Sequence, residues 1–193
     1  IKRELEDKLV STIIEILKSE KEGDILGFVR SGGEGRKTCD ALQRECKQLG
    51  YNVFCTELEG SSIHNKHPIS GISKHNYAEK VTLYKEHPDI NKNYPPDRKI
   101  VLSTNVAESS ITVEGVVFVI DSGLELLDKY NPEEMARSLK DEYVAKAAVR
   151  QRMGRAGRTQ PGICYHLYTE DQFKNFRDYP IPDMQKTDLS TEM

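Results

Sequence analysis

The segment Val116-Val117-Phe118-Val119-Ile120 constrains this chain more than any other. It holds five consecutive apolar residues, four of them β-branched, with no polar side to turn to water. Such a run suits a central strand of a parallel sheet, covered on both faces. Parallel neighbours cannot be joined by tight hairpins, so helices are expected between further strands.

Both are readable. Leu5, Leu9, Ile13, Ile16 and Leu17 recur at helical spacing and predict an amphipathic helix over about 3–19, broken at Gly23-Asp24. Ile25 to Val29 reads as a buried strand. Ser31 to Gly35 reads as a glycine-rich loop. Ala41, Leu42, Cys46 and Leu49 form a second helical stripe, ended by Gly50. Strands follow over Tyr51 to Leu58 and Lys99 to Ser103. Beyond the central run, Glu125 to Leu139 carries the turn signal Tyr130-Asn131-Pro132-Glu133 and predicts a β-hairpin. Val144 to Met153 has a helical pattern, Ile163 to Tyr168 alternates as a last strand, and Asp171 to Arg177 suits a short helix. The expected fold is α/β, a mostly parallel sheet flanked by helices. The stretch from Glu59 to Arg98 is rich in Ser, Asn, His, Lys and Pro, with one short helix expected near Tyr77 to Tyr84. A connection of that length is functional or variable.

With 193 residues, the chain corresponds to roughly one domain of about 150 and a little more. No apolar run approaches the roughly 18 residues of a membrane span, and Ile1-Lys2-Arg3-Glu4 is no signal peptide. The chain reads as an intracellular piece of a longer protein, in cytoplasm or nucleus. Cys39, Cys46, Cys55 and Cys164 form no CxxC pair, so free thiols are expected in a reducing compartment. His64, His67, His75 and His87 fit no zinc spacing, so no metal site is expected. The formal charge of -3 neither advertises nor excludes a nucleic-acid partner, because a local groove matters more than the sum.

Chemistry concentrates in Gln151-Arg152-Met153-Gly154-Arg155-Ala156-Gly157-Arg158. Three arginines lie within seven residues, and Arg155 and Arg158 would share a face if helical. Guanidinium groups separated by small residues suit multidentate recognition of phosphate oxygens; a solvated basic turn is the plain alternative. A second segment, Ser103 to Gly115, puts Ser-Thr-Asn at a strand end, the edge where ligands bind in parallel sheets. Simple helix capping is again the bland reading. The segment Gly32 to Thr38 lies between a strand and a helix as a P-loop would. However, Arg36 separates Gly35 from Lys37, and the spacing fails.

The arginine string resembles motif VI of superfamily 2 helicases, QRxGRxGR. Thr104 to Gly115 resembles motif V of the DEAH-box helicases, TNIAETSxTIDG, in the right order and separation. Gly23 to Val29 is similar to the family's GDILVFL strand, Lys129 to Pro132 to its K-x-YNP hairpin, Gln160 to Thr169 to its TxPGxCYRLYT strand, and Lys186 to Ser190 to its RTNLS. The divergent stretch after Cys55 looks closer to helicases of large DNA viruses.

The resemblance implies a RecA-like fold with a β-hairpin insertion between motifs V and VI. It implies a second RecA-like domain over 1–178 and a linker over 179–193 toward a winged-helix domain. It also implies an ATP-dependent RNA helicase whose Mg2+ and P-loop come mainly from a first RecA-like domain, leaving this chain inactive alone; an α/β layer of this size has its own core, so a monomer is expected. The implied catalytic residues are Arg155, Arg158 and Gln151. The implied ATP contacts are Ser110, Thr112, Glu114 (where the family has Asp) and Tyr94, which could equally be a packing tyrosine. The implied contacts to single-stranded RNA, made without reading sequence, are Thr104, Asn105, Ser31 and Gly32. A non-catalytic RecA-like binding module and a stand-alone P-loop NTPase are the competing readings.

Overall fold

A computed structural model describes residues 2–58, 97–109, 115–131, 136–156 and 161–180. The elements run α1 (Lys2–Ser19), β1 (Asp24–Phe28), α2 (Gly32–Leu49), β2 (Val53–Leu58), β3 (Arg98–Ser103), α3 (Val106–Ser109) and β4 (Val116–Asp121). Then come β5 (Leu124–Asn131), β6 (Ala136–Tyr143), α4 (Lys146–Met153), β7 (Ile163–His166) and α5 (Glu170–Lys174). Five strands form one parallel sheet in the order β2-β3-β1-β4-β7, and β5 and β6 form a separate antiparallel pair. The expected α/β architecture and hairpin are both present. The short helix expected near Tyr77 to Tyr84 lies outside the described residues.

The period-2 alternation of the strands divides the core. Ile25, Ile100, Leu102, Phe118 and Ile120 face α1 and α2, whereas Leu26, Phe28, Val101 and Val119 pack with Val106 and Ala107 on the opposite face. The register between β1 and β4 shifts after Asp24, which pairs with Val116 while Ile25 pairs with Phe118. One residue is thereby skipped, which turns Val116 to the second face. Helix α1 buries Leu5, Leu9, Ile13, Ile16 and Leu17 against the first face. Each fully buried side chain of this size is worth about 1.5–3 kcal/mol.

Two expectations need correction here. Ser31 to Gly35 is not a loop: α2 begins at Gly32, and the Ser31 hydroxyl accepts from the Glu34 N–H at 3.2 Å as its N-cap. The glycine at 35 serves close packing. A Cβ there would lie 3.2 Å from the Glu57 Cβ and 3.4 Å from the Leu102 Cβ, so the helix rides directly on the sheet. Nor are all cysteines free. Cys39 and Cys55 form a disulfide with their Cα atoms 5.4 Å apart, while Cys46 and Cys164 remain thiols. Sequence spacing cannot reveal this pair. It forms because α2 folds back on the next strand, placing a residue of its inner stripe (Gly35, Thr38, Cys39, Leu42, Cys46) over β2.

Candidate functional site

The carboxyl ends of the parallel strands gather most of the described candidate residues at one edge. Ser31 and Gly32 follow β1, Thr104 and Asn105 follow β3, and Ser122 and Gly123 follow β4. In open α/β sheets ligands bind along this edge. Val29 N–H donates to Ser103 O at 2.8 Å and Thr104 N–H to Leu58 O at 3.1 Å, so the loops leave the sheet in fixed directions. Thr104 is half-buried and Asn105 exposed; among the described residues neither side chain caps the following turn. The turn itself is the one-turn helix α3, closed by Ala107 N–H to Thr104 O at 3.4 Å and Glu108 N–H to Asn105 O at 3.0 Å.

Helix α4 delivers the arginine string to this turn. It ends at Met153, so Arg155 lies in the turn beyond it rather than on a continuing helical face. Its Nε donates to the Glu108 carbonyl at 2.8 Å, and its Nη2 donates to the same oxygen. Gln151 is exposed in the last turn of α4. Arg158, Ser110, Thr112, Glu114 and Tyr94 lie outside the described residues.

The residue that organises the edge is Arg152, to which neither the spacing nor the resemblance assigns a role. Arg152 is 0% exposed. Its Nε donates to Glu108 Oε1 at 2.8 Å, Nη1 to Asp121 Oδ1 at 2.8 Å and Nη2 to Leu124 O at 3.3 Å. Its guanidinium lies 4.6 Å from the centre of the Phe28 ring, a cation–π contact in a desolvated setting. Asp121 also accepts from the Gly123 N–H at 2.8 Å and the Tyr168 hydroxyl at 2.7 Å. Gly123 has φ +75, and a Cβ there would lie 2.5 Å from Tyr168 Cδ1, so only glycine allows the turn and the ring together.

The electrostatics follow. Burial would raise the Asp121 carboxyl, but His166, Arg152 and Tyr168 hold it below the ordinary carboxylate range. For Glu108, burial prevails over Arg152 and its carboxyl is raised. Burial works against the charge of Arg152, yet Asp121 and Glu108 reverse this and raise its pKa. Burial also pushes the Cys164 thiol up to about 12, leaving no reactive thiolate there.

A signal for Arg152 existed. It falls four residues after Ala148 and three after Val149, both buried, so it occupies the inner stripe of α4. A charge on such a stripe requires buried partners. Asp121, directly after the apolar run that defines β4, is one of them.

Arg30 carries no such signal in the sequence. It binds Glu34 through Nε at 2.8 Å and bridges to Asp141 of β6, tying α2 to the hairpin. A cleft of about 460 Å³ opens beside it, lined by Glu6, Ser31, Gly33, Lys37 and Leu126 among others. The segment Gly32 to Thr38 is helical, not a phosphate-cradling loop, which removes the stand-alone P-loop reading. No described helix is long and apolar enough to cross a membrane.

Comparison with known proteins agrees with this geometry. Residues 8–160 match the helicase conserved C-terminal domain. The chain is 36% identical over 181 residues to a putative ATP-dependent RNA helicase, L540, of Acanthamoeba polyphaga mimivirus, covering 94% of this chain and 24% of that protein. It is 31% identical to the human ATP-dependent RNA helicase DHX33, covering 97% of this chain and 25% of that protein. The chain thus spans about a quarter of the length of these curated relatives. A crystal structure of the Escherichia coli DEAH/RHA helicase HrpB superposes with a TM-score of 0.73 at 28% identity, covering 96% of this chain and 21% of that one. With its sheet order, its hairpin and its arginine string, the chain belongs to the helicase conserved C-terminal domain family, in the DEAH-box branch of superfamily 2.

Proposed function

We propose that this domain, residues 1–178, is the second RecA-like half of an ATP-dependent RNA helicase. Residues 179–193 would lead on to a winged-helix domain. The reading rests above all on Arg155, whose guanidinium meets the Thr104–Glu108 turn at the carboxyl edge of the sheet. Relatives named as ATP-dependent RNA helicases support it.

In this reading ATP is the substrate and supplies the phosphoryl group transferred to water. Its P-loop and Mg2+ ligands belong to a first RecA-like domain. Among the described residues no group of three His, Cys, Asp or Glu side chains is disposed to hold a metal ion, whereas guanidinium donors suit the γ-phosphate. Arg155 and Arg158 act as arginine fingers that neutralise charge as it shifts in the transition state. Gln151 positions the phosphate or its attacking water. Ser110 senses the nucleotide state, Thr112 and Glu114 face the ribose, and Tyr94 stacks on the base. Thr104 and Asn105, with Ser31 and Gly32, hold RNA phosphates, so no base preference arises here. Closure and opening against the first domain would move these grips stepwise along a single strand.

The test is made in the full-length protein. Arg155→Ala or Arg158→Ala should lower turnover by roughly 10³- to 10⁵-fold while leaving the ATP dissociation constant within a few-fold. A raised dissociation constant with turnover spared would make these arginines ground-state anchors and refute the assignment.

A further inference from the structure

The helix that delivers the arginine string does not cap itself. Helix α4 has eight residues, short of the roughly 12–15 at which isolated helices become even marginally stable. Its N-cap, Ala145, has the extended backbone of a capping residue, φ -70 and ψ 155, but no side-chain oxygen. The first N–H groups of a helix have no partner within it. Here the chain supplies acceptors from a distant segment. Lys146 N–H donates to the Arg177 carbonyl at 2.6 Å and Ala147 N–H to the Asp178 carbonyl at 3.3 Å. The Lys146 ammonium lies 3.6 Å from the Asp178 carboxylate and over the Phe173 ring. Asp178 is exposed, so that ion pair adds little.

The two carbonyls are fixed in turn. Buried Phe176 stacks on Tyr143 of β6, ring centroids 4.7 Å apart, and lies 5.0 Å from the Tyr168 ring. The Arg177 guanidinium donates to Glu125 of β5 at 3.2 Å. The segment leaving α5 is therefore anchored on both hairpin strands as it crosses the start of α4. At the other end of α4, Arg152 is clamped by Glu108 and Asp121. A short rod is aimed only when both ends are held. The turn with Arg155 continues from this rod, Arg155 N–H donating to Arg152 O at 3.2 Å and Ala156 N–H to Met153 O at 3.1 Å.

We propose that Arg177 and Asp178 are positioning residues: their carbonyls are the missing cap of α4 and, together with the Arg152 clamp, aim the arginine string. This rests on the reading of Arg155 as an ATP-facing arginine. It adds that the place where the chain leaves this domain governs the alignment of that arginine.

Lys146→Pro in the full-length protein is the test. Proline is favoured at the first helical position, and the extended Ala145 suits a following proline. The helix is kept while the N–H to Arg177 is removed together with the ammonium. Lys146→Gln removes the ammonium and keeps the N–H. ATP turnover of Lys146→Pro should fall by about tenfold, less than the roughly 10²-fold that a 1 Å misplacement costs. Its dissociation constant for adenosine imidodiphosphate with Mg2+ should stay within a few-fold, and Lys146→Gln should turn over as the parent does. A cap that only adds stability predicts a lower urea midpoint for Lys146→Pro with turnover intact. That result, or an equal loss in Lys146→Gln, overturns the proposal and leaves the functional reading standing. If Arg155→Ala turns over like the parent, the functional reading falls and takes this inference with it. Should Lys146→Pro not fold, amide exchange in the parent decides: slow exchange at Lys146 and Ala147 upholds the cap, and exchange as fast as in an unfolded chain refutes it.

Discussion

Two arginines are buried at opposite ends of the same sheet, and they are treated differently. At the carboxyl end Arg152 is 0% exposed and meets two carboxylates, one from α3 and one from β4. At the amino end Arg98 is 5% exposed and meets carbonyls instead, Gly23 O at 2.6 Å and Glu20 O at 2.7 Å, with its Nη2 buried without a hydrogen bond. The pKa directions record the contrast. Burial dominates at Arg98 and lowers it, whereas the carboxylates around Arg152 overcome burial and raise it. Carbonyls satisfy hydrogen bonds without neutralising charge. Carboxylates do both, but removing their cation then strands them. The amino-end arginine therefore locks a chain reversal, and the carboxyl-end arginine holds together the elements that carry the site.

The largest test of this contrast is Arg152→Met. It leaves Asp121 and Glu108 facing each other without their cation and should lower the stability of the chain by about 3–5 kcal/mol, read from urea melts. A loss under about 1 kcal/mol would mean that Tyr168 and Gly123 hold Asp121 adequately and that Glu108 needs no cation. Next comes reduction of Cys39–Cys55, which closes a loop with a sequence separation of 16. Removing the crosslink should lower stability by about 3 kcal/mol. The disulfide contacts neither arginine, so the gap between the Arg152 and Arg98 variants should be the same in reduced and oxidised protein.

Arg98→Met removes two carbonyl bonds but also an incompletely compensated charge. It should cost only about 1–2 kcal/mol; a loss matching that of Arg152→Met would erase the distinction between the two ends. The smallest effect is a slope with pH. The folded pKa of Asp121 is depressed, so its contribution is complete above its ordinary value of about 3.9 and is lost as pH falls through the lower folded value. The stability advantage of the parent over Asp121→Asn should shrink as the pH falls below about 4. A gap that stays constant over this range would place the Asp121 pKa at its unfolded value.

Local periodicity carries much of what folding needs, and for that reason the elements could be read before the structure. The apolar run of β4, the stripe of α1 and the Asn-Pro turn of the hairpin each act within a few residues. The motif strings led to the carboxyl edge of the sheet, where Thr104, Ser31 and Arg155 indeed lie. Long-range partners were not legible. The start of α2 is not legible locally, because glycines usually signal loops; here one of them permits a close approach to β2 and β3 that no local window contains. The same helix–strand packing joined Cys39 to Cys55 across the core.

Above all, the string itself does not show how the surroundings of Arg152 and Arg155 differ, and only the fold separates the two by their partners. Position 152 lies on the inner stripe of α4, where burial in a medium of low polarity demands a carboxylate on each side. Position 155 falls just past the helix end, where the guanidinium, also buried, meets the neutral Glu108 carbonyl. Spacing marked a string of guanidinium groups and a strand-end turn, and the resemblance to DEAH-box helicases, not the spacing, implied that the two share a site. The partners themselves were supplied by tertiary packing, from residues 31 and 44 positions away for Arg152 and 47 for Arg155.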